Sequence, residues 1–369
     1  MVIVFWQRMF SPHMLGLADA LVELGHRVIF VAQEELSQER RKQGWSVPIP
    51  GAAERILIGD LYTARTFIAN LPSNTVHIVQ GIRGNADIER YQNLILAVNH
   101  RLWIIMETVD DRGWRGGAKR LIYRYLLRRK RRDIEGIFAI GANTAGWLAA
   151  RGFPTKQIFP FAYFISPPQI PEMDASTEVE RPFTFTFVGN LEPWKNPAMA
   201  LEAFLGLSTG RRRLLFVGDG SQRASLERRS KDRPTEAEIE FLGRVSMGDV
   251  PSKLLQTDCL ILPSNVDGWG VVASEAMLLG TPVIASDACG VHEAVSASPS
   301  GAVFPAGSLA KLTDAMNHMQ GSGKDKIRRR SLSAWAYPLS AEFGAHYLES
   351  VLYGVSPDNL PDWLRGKRG

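Results

Sequence analysis

Leu260–Glu293 reads LILPSNVDGWGVVASEAMLLGTPVIASDACGVHE. Cys259–Leu262 is a short apolar run that predicts a buried strand, ended by Pro263 and Ser264. A loop of turn residues follows (Asn265, Asp267, Gly268, Gly270), then a short helix from Val272 to Leu279, with Gly280 placed to close it. Pro282–Ser286 predicts a second buried strand. Strand, glycine loop, helix, strand is an arrangement suited to phosphate chemistry. Gly268 and Gly270 let backbone approach a ligand, and the helix N-terminus directs free N–H groups and partial positive charge toward it. Two carboxylates frame the loop, Asp267 within it and Glu275 in the first turns of the helix.

The stretch resembles the nucleotide-sugar site of the family-4 retaining glycosyltransferases of the GT-B fold. Their motif sets an acidic residue and a glutamate, seven residues between them, in a PS…(E/D)G(F/W)G…EAM…G.PVI frame. This chain matches nearly every position, with Asp267 where glutamate is commoner. The resemblance implies two doubly wound Rossmann-like α/β domains facing a central cleft.

Composition agrees with two globular domains. The chain has 369 residues, 45% hydrophobic and 22% charged, too long for one ordinary core. Cys259 and Cys289 make no metal spacing or disulfide framework and read as buried thiols. No basic region precedes Met1–Trp6, and no apolar run approaches the roughly 18 residues of a spanning helix. The expectation is a cytoplasmic protein. Charge is uneven: residues 1–165 hold 22 Lys and Arg against 14 Asp and Glu, and the remainder 21 against 24. The halves therefore suit different partners.

Along the chain, strands and helices alternate. Met1–Trp6, Arg27–Ala32, Val76–Val79, Leu102–Met106 and Gly136–Ile140 read as strands, and His13–Leu24, Ala86–Asn99, Lys119–Arg132 and Ala142–Arg151 as helices. Such alternation implies a parallel sheet covered on both faces. No GxGxxG follows the first strand, which argues against a dehydrogenase. Pro-rich 166–182 reads as a linker. A second alternation then runs through Phe183–Val188, Arg213–Val217 and Glu238–Leu242. The domains expected are 1–165 on the acceptor side, 183–335 on the nucleotide-sugar side, and 336–369 as a helix crossing back with a loosely ordered tail.

Gly189-Asn190-Leu191-Glu192-Pro193-Trp194-Lys195-Asn196 lies at a strand-to-helix corner, where open α/β sheets bind ligands. The family's pattern carries arginine and lysine here, both on the donor diphosphate. Lys195 matches the lysine, and Asn190 stands where arginine is common. Gly218 in Gly218-Asp219-Gly220 is similar to the family's turn beside the nucleotide, and Arg244 to its segment next to the base. The resemblance further implies that Glu275 accepts from the ribose hydroxyls and that Asp267 contacts the sugar. Backbone N–H groups of Gly268, Trp269, Gly270 and Val271 would meet sugar and phosphates. The family needs no metal or other cofactor, and no Asp-x-Asp occurs in this chain to hold one. Lys195 and the helix N-terminus would then meet charge developing on the leaving diphosphate. The mechanism implied is front-face displacement; a carboxylate nucleophile is the alternative.

On the acceptor side, His13 at the start of the first helix and Glu107 at a strand end are candidates. Many relatives place a histidine at the position of Glu107. Residues 115–132 hold nine Lys and Arg and no acid, with Leu121, Ile122, Tyr125 and Leu126 as an apolar stripe. This suits an anionic membrane surface, with Arg124, Arg128, Arg129, Lys130, Arg131 and Arg132 facing it. No nucleic-acid motif accompanies the charge. The expected function is a retaining, metal-independent glycosyltransferase, peripheral on the inner face of the plasma membrane. It would move a sugar from a nucleotide donor to a saccharide or lipid-linked acceptor in surface-polysaccharide or lipopolysaccharide assembly. A nucleotide-sugar epimerase of the same fold and a non-catalytic two-lobed sugar-binding protein are the alternatives; the latter would predict an export signal.

Overall fold

The structure is a computed structural model. It describes residues 1–369 apart from 43, 85, 169–180, 208–209, 232–233, 235, 323–325, 356–358 and 366–369, and apart from the side chains of 86, 88 and 115. Most of the expected linker 166–182 lies outside the described residues. The chain divides into two compact units. Unit 1 comprises residues 1–38, 47–166 and 339–369, and unit 2 comprises 39–46 and 167–338. Residues 39–46, expected with the first domain, therefore group with the second.

Unit 1 is built on one parallel sheet. Its strands are β1 (Val2–Met9), β2 (Arg27–Glu34), β3 (Glu54–Leu57), β4 (Val76–Gln80), β5 (Arg101–Glu107), β6 (Gly136–Ile140) and β7 (Ile158–Phe161), in the order β3-β2-β1-β4-β5-β6-β7. Helices α1 (Pro12–Glu23), α3 (Leu61–Ala69), α4 (Ala86–Ala97), α5 (Gly113–Lys130) and α6 (Ala142–Ala149) follow strands of this sheet, whereas α2 (Gln38–Lys42), after β2, falls almost wholly in the segment grouped with unit 2. Ile3, Val4, Phe5 and Trp6 are all buried, as the run of consecutive apolar residues requires of a strand covered on both faces. β3 escapes a reading of the sequence because it is a short edge strand with no fully buried residue. β7 escapes it because Pro160 reads as a breaker. At the sheet edge its missing N–H deprives no ladder partner.

Unit 2 is also wholly parallel. Its strands are β8 (Phe183–Val188), β9 (Arg212–Val217), β10 (Ala237–Gly243), β11 (Cys259–Leu262), β12 (Val283–Ser286) and β13 (Ala302–Phe304), in the order β10-β9-β8-β11-β12-β13. The helices are α7 (Pro197–Leu205), α8 (Arg223–Arg229), α9 (Val250–Leu255), α10 (Val271–Leu278), α11 (His292–Ala297), α12 (Leu309–Gly321) and α13 (Lys326–Trp335). Each sheet reverses its winding once, between β1 and β4 and between β8 and β11. The carboxyl ends of strands at such a switch point are where this architecture exposes loops to a ligand.

The chain returns to unit 1 through α14 (Ala341–Leu352). The Ser340 hydroxyl caps it by accepting from the Phe343 N–H at 3.2 Å. Gly344 is needed where α14 lies on Phe164, because a Cβ there would fall 2.3 Å from that ring. The Tyr347 phenol donates to the Pro160 carbonyl at 2.9 Å. Within the described part of the tail, α15 (Asp362–Arg365) seats Trp363 and Leu364 in the interior of unit 1. Two buried apolar side chains, each worth about 1.5–3 kcal/mol, outweigh the polar composition around them.

Candidate functional site

At the switch point of unit 2, the loop after β8 and the loop after β11 are tied together. The Asn265 N–H donates to the Trp194 carbonyl at 2.8 Å, and the Asn265 side-chain amide to the Pro193 carbonyl at 3.3 Å. Across this seam the Lys195 ammonium lies 2.5 Å from the Asp267 carboxylate, both side chains largely out of solvent. The loop after β11 is fixed on its other side by the turn after β12. There the Asp267 N–H donates to the Ala288 carbonyl at 3.2 Å, and the Gly290 N–H to the Asp267 carbonyl at 3.0 Å. A charge pair in so constrained a frame presents its atoms to a ligand with little rearrangement.

The loops after β8 and β9 are laced equally closely. The Leu191 N–H donates to the Asp219 carbonyl at 3.0 Å, and the Gln222 N–H to the Leu191 carbonyl at 2.9 Å. The Glu192 carboxylate accepts from the Ser221 N–H at 2.9 Å and from its hydroxyl at 2.5 Å. Gly218 sits at φ 138°, and a Cβ there would come within 1.9 Å of the Gly189 carbonyl oxygen, so only glycine lets these loops meet. Asn190, half-exposed, follows Gly189 at this corner, and Arg244 is exposed just beyond β10.

Gly270, in the left-handed region at φ 95°, starts α10, so the first-turn N–H groups of Val271 and Val272 lack intrahelical acceptors. Trp269 contributes backbone only. Its ring is buried, and its indole N–H donates to the Ser274 hydroxyl at 2.9 Å. Glu275, further along α10, is half-buried, and no donor among the described residues reaches its carboxylate. Desolvation pushes this group up to about 7. An acid held at that cost without a partner is suited to accept from ligand hydroxyls. Cys289, a buried neighbour of Asp267, is pushed up to about 11, by burial first and by the Asp267 charge second, which keeps it a thiol.

In unit 1, His13 and Glu107 are brought together by a residue that sequence reasoning did not single out. The Tyr163 phenol, just past β7, donates to the Glu107 carboxylate at 2.7 Å, and its ring lies 5.9 Å from the His13 ring. All three are half-buried at the carboxyl edge of the sheet. Nothing in the local sequence marks Tyr163; only the closing of the sheet by β7 places it.

On the basic helix, Tyr123 and Leu127 point into unit 1 and Leu126 packs partly against its core, whereas Leu121, Ile122 and Tyr125 of the apolar stripe are exposed. Lys130, expected at a membrane surface, is buried and donates to the Gln92 side chain at 2.7 Å, with Glu89 at 3.6 Å. Lys119 and Arg120 donate to the carbonyls of Asp110 and Asp111. Arg124, Arg128, Arg129, Arg131 and Arg132 are exposed. No helix among the described residues is long and apolar enough to cross a membrane.

Two doubly wound parallel sheets, each with one switch point, are the GT-B architecture. Residues 169–331 match the family model described as Glycosyl transferases group 1. The chain is 32% identical over 180 residues to a D-inositol 3-phosphate glycosyltransferase of Nocardia farcinica, covering 46% of this chain and 39% of that protein. It is 27% identical over 206 residues to a GDP-mannose-dependent monoacylated alpha-(1-6)-phosphatidylinositol monomannoside mannosyltransferase of Corynebacterium glutamicum, covering 50% of this chain and 52% of that one. The matches span about two-fifths of the first curated relatives, 39% and 42% of their lengths. Among solved structures, Anabaena HepE in complex with UDP superposes with a TM-score of 0.73 at 15% identity, covering 96% of this chain and all of that one. The apo form of the lipopolysaccharide outer core galactosyltransferase WaaB gives 0.67 at 15% identity, covering 96% of this chain and 99% of that one. The likeness to the group 1 glycosyl transferases thus rests on residues 169–331.

Proposed function

We propose that this chain is a retaining, metal-independent glycosyltransferase using a nucleoside-diphosphate sugar. The observation that carries this is the Lys195–Asp267 pair at the unit 2 switch point, with the unpartnered Glu275 carboxylate on the helix that follows. Glu275 takes the ribose hydroxyls and Asp267 those of the sugar. Lys195 and the α10 N-terminus take the diphosphate, so that positive charge already in place meets the leaving group. The bond from the anomeric carbon to the diphosphate oxygen breaks as the bond to the acceptor oxygen forms on the same face. The acceptor's proton passes to the departing phosphate oxygen.

His13 and Glu107 serve the acceptor, a saccharide or lipid-linked saccharide of surface-polysaccharide or lipopolysaccharide assembly. The relatives' activities toward inositol phosphate and phosphatidylinositol mannoside acceptors agree with an acceptor of that general kind. Slow donor hydrolysis, with water standing in for the acceptor, tests the reading. One of UDP-, GDP- or ADP-glucose should be hydrolysed at the same rate with and without EDTA, and proton NMR should show the first-formed sugar with retained configuration. Inversion, or loss of hydrolysis in EDTA, would overturn it.

A membrane partner follows from a second observation. On α5, Trp114, Leu121 and Tyr125 are 84%, 66% and 63% exposed, beside exposed Arg124, Arg128 and Arg129. Large apolar groups interleaved with cations fit the interface of an anionic bilayer, rings at headgroup depth and guanidinium groups on phosphates. The enzyme is accordingly peripheral on the cytoplasmic face of a membrane.

A further inference from the structure

The two facing loops of the unit 2 edge each carry a tryptophan, and they are treated in opposite ways. Trp269 is buried with its N–H spent on Ser274, whereas Trp194 leaves 48% of its surface in water. No ring, ion or hydrogen-bond partner among the described residues engages its indole. Its backbone, by contrast, is held by its neighbours. Its carbonyl accepts from Asn265 at 2.8 Å, and the next N–H, of Lys195, donates to the Glu192 carbonyl at 2.9 Å. Pro193 fixes φ before it, and Asn196 takes a left-handed φ of 55° two residues later. A large apolar side chain is therefore presented to solvent by a rigid frame, one residue from the ammonium that meets Asp267.

We propose that the Trp194 indole is a stacking platform for a pyranose ring bound at this edge. A pyranose carries hydroxyls around its rim and C–H bonds on its faces. Those weakly positive C–H groups complement the electron-rich face of an indole, the best of the aromatic side chains for such contact. Lys195 and Asp267 beside it supply the charged and hydrogen-bonding partners that the rim and a phosphate require. The proposal rests on the nucleotide-sugar reading of the site. The ring belongs either to the donor sugar or to the acceptor, and the experiment separates the two.

Wild type, Trp194→Phe and Trp194→Ala are titrated with UDP, GDP and ADP, then with the matching nucleotide-glucose, following tryptophan fluorescence and calorimetric affinity. Glucose, mannose and N-acetylglucosamine are then added to protein saturated with the diphosphate. A donor platform gives a fluorescence change with nucleotide-glucose beyond that of the diphosphate alone, and this is lost in Trp194→Phe. Trp194→Ala then weakens nucleotide-glucose about tenfold without weakening the diphosphate, whereas Trp194→Phe, which keeps an aromatic face, stays within about threefold. An acceptor platform gives the extra, Trp194-dependent change only with a free sugar. Diphosphate binding with no Trp194-dependent sugar signal overturns the proposal and leaves the donor site standing. Failure of every nucleotide to bind wild type overturns the donor site, and the platform with it.

Discussion

The carboxyl edges of the two sheets are built by different means. In unit 2, main-chain hydrogen bonds join the loops after β8, β9, β11 and β12, and the charged pair Lys195–Asp267 is set into that lattice. In unit 1, the Phe10 N–H also donates to the Glu35 carbonyl at 3.2 Å, but the candidate group itself is assembled from single side chains, with Tyr163 joining Glu107 and His13, beside a helix whose outer face is cationic and apolar. A ligand whose diphosphate and ribose do not vary suits a backbone cradle. An acceptor that differs from enzyme to enzyme suits side chains that can be exchanged without disturbing a loop. The contrast also extends to buried titratable groups, which respond to pH in opposite directions.

The largest effect expected is on α5. Reversing Arg124, Arg128, Arg129 and Arg132 to glutamate should weaken binding to phosphatidylserine vesicles by about 4 kcal/mol, roughly a thousandfold, at about 1 kcal/mol per cation. Circular dichroism should be unchanged, since these side chains are exposed. Vesicle binding equal to wild type would remove the membrane role from unit 1. Next comes Lys195→Ala, which should lower turnover about 10²–10³-fold, the usual cost of one charge-stabilising donor, and weaken donor affinity less. A variant with wild-type turnover would mean that the leaving group is met elsewhere.

Buried His77 sharpens the comparison through stability. Its ring accepts from the Trp6 indole N–H at 2.9 Å and lies 3.0 Å from the His100 ring nitrogen, and burial, aided by His100, lowers it to about 3. The folded chain thus resists a proton that the unfolded chain accepts below about 6.5. Stability is whole above that pH and is lost as pH falls, by about 3 kcal/mol on reaching pH 4.5. Denaturant titrations of wild type and His77→Gln should converge in acid; parallel pH slopes would contradict this.

Glu275 acts in the other direction. Its carboxyl is raised to about 7, so the folded chain holds a proton that the unfolded chain releases near 4.5. Its contribution is present below pH 4.5 and is lost as pH rises through 7, and Glu275→Gln should stabilise the ligand-free protein by about 3 kcal/mol at pH 8 but not at pH 4.5. Donor affinity should rise through pH 7 in wild type, as the acceptor ionises, and stay flat in the variant. The smallest effect expected is that of Tyr163→Phe. Loss of one hydrogen bond to a carboxylate should reduce acceptor-dependent kcat/KM about tenfold with donor affinity untouched. A change in donor affinity instead would mean that the two edges do not divide the substrates as argued.

What could be read from the amino acids follows the same division. The unit 2 edge is contiguous in sequence: glycines at fixed offsets, a proline–serine stop and two acids eight residues apart occupy one strand–loop–helix stretch. The alternation of buried strands was legible for the same reason, since a strand covered on both faces writes an unbroken apolar run. The unit 1 edge draws on residues 13, 107 and 163, and only the sheet order brings them together. On α5 the residues that anchor the helix, Tyr123 and Leu127, went unmarked because arginine stems dilute its helical period. Lys130 was misread because its partners, Gln92 and Glu89, lie on α4 about forty residues earlier.

The central claim is that unit 2 holds a nucleoside diphosphate through Lys195, the start of α10 and Glu275. Thermal unfolding of wild type and Glu275→Ala with UDP, GDP and ADP, with and without EDTA, tests it most directly. The account predicts that one diphosphate raises the wild-type midpoint, that EDTA leaves the shift unchanged, and that the variant shifts less. No shift with any diphosphate, a shift abolished by EDTA, or an equal shift in Glu275→Ala would contradict it.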